Sequence, residues 1–181
     1  MDGLSERQLA AYLLILASFI FLIGGALFTG RAIWNWPVGQ TAMYLRWERG
    51  VVIAAFLISL LGFGLVEKML SAAGDIGIAR MALLIYLISA GVMVVAETNF
   101  LNGQWSYPQI VAHVVLAFLA QAAFGLALLQ TEALPGWVGW ASILWNLGCL
   151  VILPILMPQD IYFPWLHYVA PLLIGISLLR A

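Results

Sequence analysis

The sequence has very little charge. Only 8% of its 181 residues are Asp, Glu, Lys or Arg, whereas 65% are hydrophobic. A soluble domain is typically about a quarter charged and less than half apolar, so this composition excludes an ordinary soluble domain and indicates a protein of the bilayer. The formal net charge of −1 provides no basic surface for nucleic acid, and we expect no nucleic-acid partner.

Cysteine and histidine are also scarce. The single cysteine, Cys149, excludes an intrachain disulfide, and its place in an apolar run is typical of a buried, inert thiol. The only two histidines, His113 and His167, allow at most one site that needs a histidine pair. The sequence contains no HExxH or other zinc spacing, no Ser-His-Asp arrangement, no phosphate loop and no dinucleotide fingerprint, which favours a non-enzymatic role.

Long apolar runs make up most of the chain. A helix needs ~20 apolar residues to cross about 30 Å of hydrocarbon. By this measure the sequence predicts six spans, at about residues 8–29, 50–70, 79–97, 109–130, 134–157 and 162–180. The first run is too long for the core of a cleavable signal peptide and is predicted to be a span. Because the separators are short, we expect residues 1–181 to form a single transmembrane domain, an all-α, polytopic six-helix bundle.

Two local features refine this prediction. Residues 30–49 interleave Trp and Tyr with arginines, which is typical of the headgroup layer, and residues 40–49 are predicted to form a short interfacial helix across the bundle end. In the sixth span, Pro171 removes a helix hydrogen bond. We therefore expect a kink there, with a neighbouring group compensating for the freed carbonyl.

The Lys and Arg distribution predicts the orientation. The N-terminal side carries Arg7, Lys68, Arg80 and Arg180, and the opposite side carries Arg31, Arg46 and Arg49. Beyond residue 49 the opposite side has no Lys or Arg. The positive-inside rule then favours a bacterial cytoplasmic membrane protein with both termini in the cytoplasm.

The polar hairpin at residues 96–113 directs attention to one end of the bundle. An odd span ends where an even span begins, so Glu97, His113 and His167 are predicted to lie near the same extracytoplasmic boundary. Ionisable groups within spans usually face the interior and are candidate site residues. The predicted ligand-binding set also includes the nearby aromatic residues and two deeper amides: Trp105, Tyr162, Trp165, Gln121 and Asn146.

Three functions are compatible with this pattern. The leading hypothesis is binding or transport of a small amphipathic or lipid-like molecule, in a pocket at the extracytoplasmic ends of spans three to six. A second is an accessory subunit that packs against partner subunits or copies of itself in a larger membrane complex. A third is a single-haem b protein with His113 and His167 as axial ligands, because bis-histidine ligation needs two histidines at matching depth. A metal-dependent enzyme using Glu97 with both histidines is a variant of the third.

The second half of the chain also resembles a known group of proteins. From His113 onward, through Gly125 and the stretch Leu134-Pro135-Gly136-Trp137-Val138-Gly139-Trp140, it is similar to uncharacterised bacterial multi-span membrane proteins of unknown function. The resemblance implies a bacterial membrane bundle and no particular activity, cofactor or site residue.

Overall fold

The computed structural model describes residues 4–157 and 164–180 of the chain. Within these ranges the backbone is helical and contains no strand, which confirms the all-α prediction. The α-helices are α1 Glu6–Ala32, α2 Ala42–Ala72, α3 Ile78–Leu101, α4 Tyr107–Thr131, α5 Gly136–Leu156 and α6 Val169–Arg180. Two short 3-10 segments, Pro37–Gln40 and Pro164–Tyr168, precede α2 and α6.

Helices α1 to α5 are each long and apolar enough to cross a membrane. Their outward faces carry large apolar side chains, such as Leu61, Leu144 and Ile155, which are 62%, 66% and 71% exposed. A soluble protein rarely exposes apolar surface on this scale, whereas a helix in lipid satisfies its backbone internally and needs an apolar exterior. The fold is therefore a helical bundle of membrane-protein type.

The sixth helix is shorter than the predicted span 162–180. The described part of that span begins as the 3-10 segment Pro164–Tyr168, and α6 starts only at Val169. The cause is Pro171, which cannot donate to the His167 carbonyl four residues earlier and whose ring crowds that carbonyl. Where the sequence predicts a kink at Pro171, the structure has a change from 3-10 to α-helix.

The second helix is longer than predicted. Residues 40–49 do not form a separate interfacial helix, because α2 runs unbroken from Ala42 to Ala72. Thr41 caps its start by accepting a hydrogen bond from the Tyr44 amide at 3.3 Å. Glu48 and Arg49 are buried, so one face of this turn packs inside the bundle, whereas Trp47 on the same turn is exposed.

The six helices form a ring. Each of α1 to α5 packs on the next helix in the sequence, α6 packs on α1, and the seam between α5 and α6 has the sparsest contact of the ring. Arg7 at the start of α1 donates a hydrogen bond from Nε to the Leu178 carbonyl near the end of α6, at 2.9 Å. The beginning of α1 and the end of α6 therefore lie at the same end of the bundle.

Candidate functional site

Glu97 lies in a chain of four buried or partly buried charges. Its Oε2 accepts from Nη1 of Arg49 at 2.8 Å, and Arg49 also contacts Glu48 at 2.8 Å. Glu48 in turn binds Arg31 through two hydrogen bonds of 2.7 and 2.9 Å. The Arg49 guanidinium stacks on the Phe100 ring, 4.0 Å from its centroid. Two cations and two anions from α1, α2 and α3 thus neutralise one another, which is what burial of charge requires.

The two histidines lie deeper in the bundle than Glu97. His113 is hydrogen-bonded to Ser89, which precedes Glu97 by eight residues on α3. At 1.5 Å per residue this is about 12 Å along the helix axis. The structure therefore separates the predicted trio into a charged group near the end of α3 and an imidazole pair further inside.

His113 is held in one orientation by Ser89. Nδ1 of its ring lies 3.1 Å from the Ser89 carbonyl oxygen, and the Ser89 hydroxyl donates to the His113 carbonyl at 3.0 Å. The Ser89 hydroxyl also lies 2.9 Å from Nδ1, but its one proton goes to the His113 carbonyl. Because a carbonyl oxygen can only accept, these contacts assign the ring proton to Nδ1 and make Nε2 of the neutral imidazole an acceptor. Nε2 is buried and has no hydrogen-bond partner within the described residues.

His167 lies beside His113, with ring centroids 5.3 Å apart. The His167 ring stacks on Phe118 at 4.0 Å between centroids, and the His113 ring meets Phe56 edge-on at 4.6 Å. Neither ring nitrogen of His167 has a hydrogen-bond partner among the described residues. The structure thus brings the two predicted histidines together in an aromatic environment.

The 3-10 segment that carries His167 is held by side chains from three helices. Gln121 of α4 donates from Nε2 to the His167 carbonyl at 2.9 Å, which is the carbonyl freed by Pro171. The Leu166 carbonyl accepts from the indole of Trp145 in α5 at 2.9 Å. The Tyr168 carbonyl accepts from Ser18 in α1 at 3.4 Å. The expected compensation for the proline is therefore present, and Gln121 has a structural contact that leaves its Oε1 unpartnered among the described residues.

Asn146 lies at the same level as Gln121. Gly125 of α4 faces Ser142 of α5. The two helices are antiparallel, so Gln121, four residues before Gly125, and Asn146, four residues after Ser142, lie one turn further along in the same direction. Asn146 donates to the Ser142 carbonyl at 2.7 Å, and its buried Oδ1 has no partner among the described residues.

Trp105 and Trp165, two of the predicted aromatic residues, make no ring contact with the histidine pair. Trp105 stands on the connection after α3, contacts Phe100 edge-on at 5.4 Å and is 48% exposed. Trp165 packs its indole against Gly25 of α1 and meets Phe21 edge-on at 6.3 Å. Tyr162 lies outside the described residues.

Four clefts lined by described residues lie elsewhere on the bundle, and none of these four includes a predicted site residue. Among the described residues, Phe56 and Phe118 pack against the histidine pair. Axial ligation of a haem by His113 and His167, whose ring centroids lie 5.3 Å apart, stays a prediction. Within residues 4–157 and 164–180, no group of three or more His, Cys, Asp or Glu side chains is placed to hold a metal ion.

Sequence reasoning missed Glu48 and Ser89 and assigned Arg49 to the membrane surface. One sequence feature indicated that Glu48 and Arg49 could be buried: they are adjacent, carry opposite charges and stand at the start of an apolar run. Such a pair can enter a bundle if other charges complete it. Ser89 had no comparable signal, because a small hydroxyl in a span is usually a packing residue.

Comparisons of the chain with protein-family models, with curated proteins and with solved structures found no match.

Proposed function

We propose that this protein is a six-span membrane protein that binds, for retention or transport, a small amphipathic molecule with a hydroxyl head group at His113, His167 and Gln121. The observation that carries the proposal is the set of polar atoms, on these three fully buried side chains, that have no hydrogen-bond partner among the described residues. A buried polar atom without a partner costs about 1–3 kcal/mol, and a ligand that supplies the missing hydrogen bonds recovers this cost.

The unpartnered atoms define the chemistry of the head group. His113 offers Nε2 as an acceptor, Gln121 offers Oε1 as an acceptor, and neutral His167 offers one donor and one acceptor. Acceptors therefore outnumber donors at the site. A hydroxyl group suits this set because it donates to His113 or Gln121 and accepts from the N–H of His167.

The surroundings favour an apolar or aromatic body attached to that hydroxyl. Phe56 and Phe118 pack against the imidazoles, and the Tyr168 ring lies 5.6 Å from Phe56 between centroids. A few convergent polar atoms among apolar walls are typical of small-molecule sites. The sparse contact between α5 and α6 supports lateral entry from the bilayer. The hydrogen bond from Trp145 to the Leu166 carbonyl spans this seam beside His167 and would open for entry.

The six-span arrangement is supported by the length of the last element. The 3-10 segment and α6 together contain 17 residues. At about 2.0 Å and 1.5 Å of rise per residue they extend roughly 28 Å when collinear, close to the hydrocarbon thickness. The excess of Lys and Arg on the N-terminal side supports cytoplasmic termini in a bacterial cytoplasmic membrane.

The test is native mass spectrometry of the gently extracted protein, followed by titration with a long-chain isoprenoid alcohol and with its methyl ether. We expect one bound molecule and about 5–10-fold weaker binding of the ether, since the ether cannot donate to His113. His113→Ala and His167→Ala are each expected to weaken binding of the alcohol to a similar degree while the protein remains monodisperse.

Gln130→Ala is the matched control for these variants, because Gln130 lies on α4 and binds only the Gly74 carbonyl and the Ile76 amide at its exposed end. Wild-type binding in both histidine variants would refute the site. Extraction with a stoichiometric protein partner and no small molecule would instead support the accessory-subunit hypothesis.

A further inference from the structure

Arg46 differs from the other basic residues near its end of the bundle. Arg31 and Arg49 are paired with Glu48 and Glu97, whereas Arg46 has no acceptor within the part of the chain that the structure describes. It is exposed on the first turns of α2, next to Trp47, which is 66% exposed. A cation with an adjacent indole is typical of the headgroup level of a bilayer.

Arg46 stands at one end of an apolar cleft between α1 and α2. The cleft has a volume of about 480 Å³, and its other walls include Ile20 of α1 and Val51 and Ala54 of α2. Ala54 follows Arg46 by eight residues, which places it about 12 Å further along the helix. The cleft therefore runs from a guanidinium at the headgroup level into the apolar part of the bundle surface.

Gly50 keeps this cleft open. A Cβ atom built at Gly50 meets no heavy atom within 4 Å, so the missing side chain leaves free volume beside Val51. Within the part of the chain that the structure describes, no Asp or Glu lines the cleft, and Glu48 is buried in the ion-pair chain. The chemistry of the cleft is thus one accessible cation above an apolar channel.

We propose that this cleft binds one anionic phospholipid, with its phosphate on Arg46 and one acyl chain along Ile20, Val51 and Ala54. The charge complementarity selects an anionic lipid, because guanidinium binds phosphate oxygens through paired, charge-assisted hydrogen bonds. A lipid with a net-neutral head group retains the acyl-chain contact but adds its own cation beside Arg46. This lipid site is separate from the buried histidine pair and does not depend on the function proposed for it.

The experiment uses the full chain, delipidated in detergent and titrated with phosphatidylglycerol or phosphatidylcholine of identical acyl chains, with lipid-bound species counted by native mass spectrometry. We expect wild-type protein to bind the first phosphatidylglycerol about tenfold more tightly than phosphatidylcholine. Arg46→Gln is expected to abolish this preference, because it removes the charge and keeps the cleft. Gly50→Leu is expected to weaken both lipids, because the leucine fills the cleft.

The matched control for Gly50→Leu is Gly91→Leu. Gly91 is an exposed glycine of α3 with no heavy atom within 4 Å of its built Cβ, and it lies outside the cleft. It is expected to bind both lipids as the wild type does. Equal binding of the two lipids by the wild type, or unchanged binding in Gly50→Leu, would overturn the proposal.

Discussion

At the scale of single residues, the chain of charges from Arg31 to Glu97 carries a large desolvation free energy. Glu48, Arg49 and Glu97 are at most 5% exposed at their side chains, so each depends on its neighbours to offset desolvation. The sequence analysis grouped Glu97 with His113 and His167, whereas the structure pairs it with Arg49. The reason is that Arg49 is 48 residues away in the sequence, and only packing of α2 on α3 brings the two together.

This dependence gives a stability prediction. Glu97→Gln leaves Arg31 and Arg49 sharing the single carboxylate of Glu48, so the cluster carries one uncompensated positive charge. We expect this change to lower the free energy of unfolding by about 3–5 kcal/mol. Glu6→Gln is the control, since the exposed Glu6–Lys68 pair is expected to contribute about 0–1 kcal/mol. The measurement is equilibrium unfolding in mixed micelles, followed by tryptophan fluorescence. Equal stability of the two variants would mean that the buried pair contributes no more than the exposed one.

At the scale of elements, small residues decide where helices approach. A Cβ built on Gly125 of α4 lies 2.8 Å from the Gly139 carbonyl oxygen, and a Cβ built on Gly139 of α5 lies 2.8 Å from the Gly125 carbonyl oxygen. A side chain at either position would clash with a backbone carbonyl of the other helix, so only glycine at both positions permits the close crossing. In lipid there is no hydrophobic effect to drive helices together, so close packing at small residues contributes to their association.

A leucine at this crossing should separate the two helices. We expect Gly125→Leu to destabilise the bundle by about 1–3 kcal/mol through overpacking. We also expect faster alkylation of Cys149, the partly buried single thiol of α5, by a thiol reagent in detergent. Gly91→Leu, on an open face of α3, should leave the rate at the wild-type value. If both variants label at the same rate, close packing at Gly125 does not hold α5 in place.

At the scale of the whole molecule, ring closure determines the topology. The contact between Arg7 and the Leu178 carbonyl places the start of α1 and the end of α6 together, which an even number of crossings requires. Closure also leaves α5 attached mainly through α4, because the α5–α6 seam is sparse.

This arrangement predicts the sidedness of the chain in a membrane. Single cysteines in a Cys149→Ala background should react from the cytoplasmic face at Leu4→Cys, Ile76→Cys and Arg180→Cys, and from the other face at Gln104→Cys. The measurement is labelling of intact and permeabilised cells with an impermeant maleimide. Labelling of the position-180 cysteine from the same face as the position-104 cysteine would show an odd number of crossings and contradict the six-span arrangement.

The sequence by itself determined the class of the protein and the approximate places of its helices, because apolar runs of span length and an almost uncharged composition allow few alternatives to a helical membrane bundle. It also predicted that Pro171 would disturb the last helix, since a missing N–H is a local property. Only the tertiary structure decided that Gln121 repairs that break, that Arg49 pairs with Glu97, and that His113 and His167 meet two turns deeper. These contacts join residues far apart in the chain, and their partners depend on how helices pack, which local pattern does not specify.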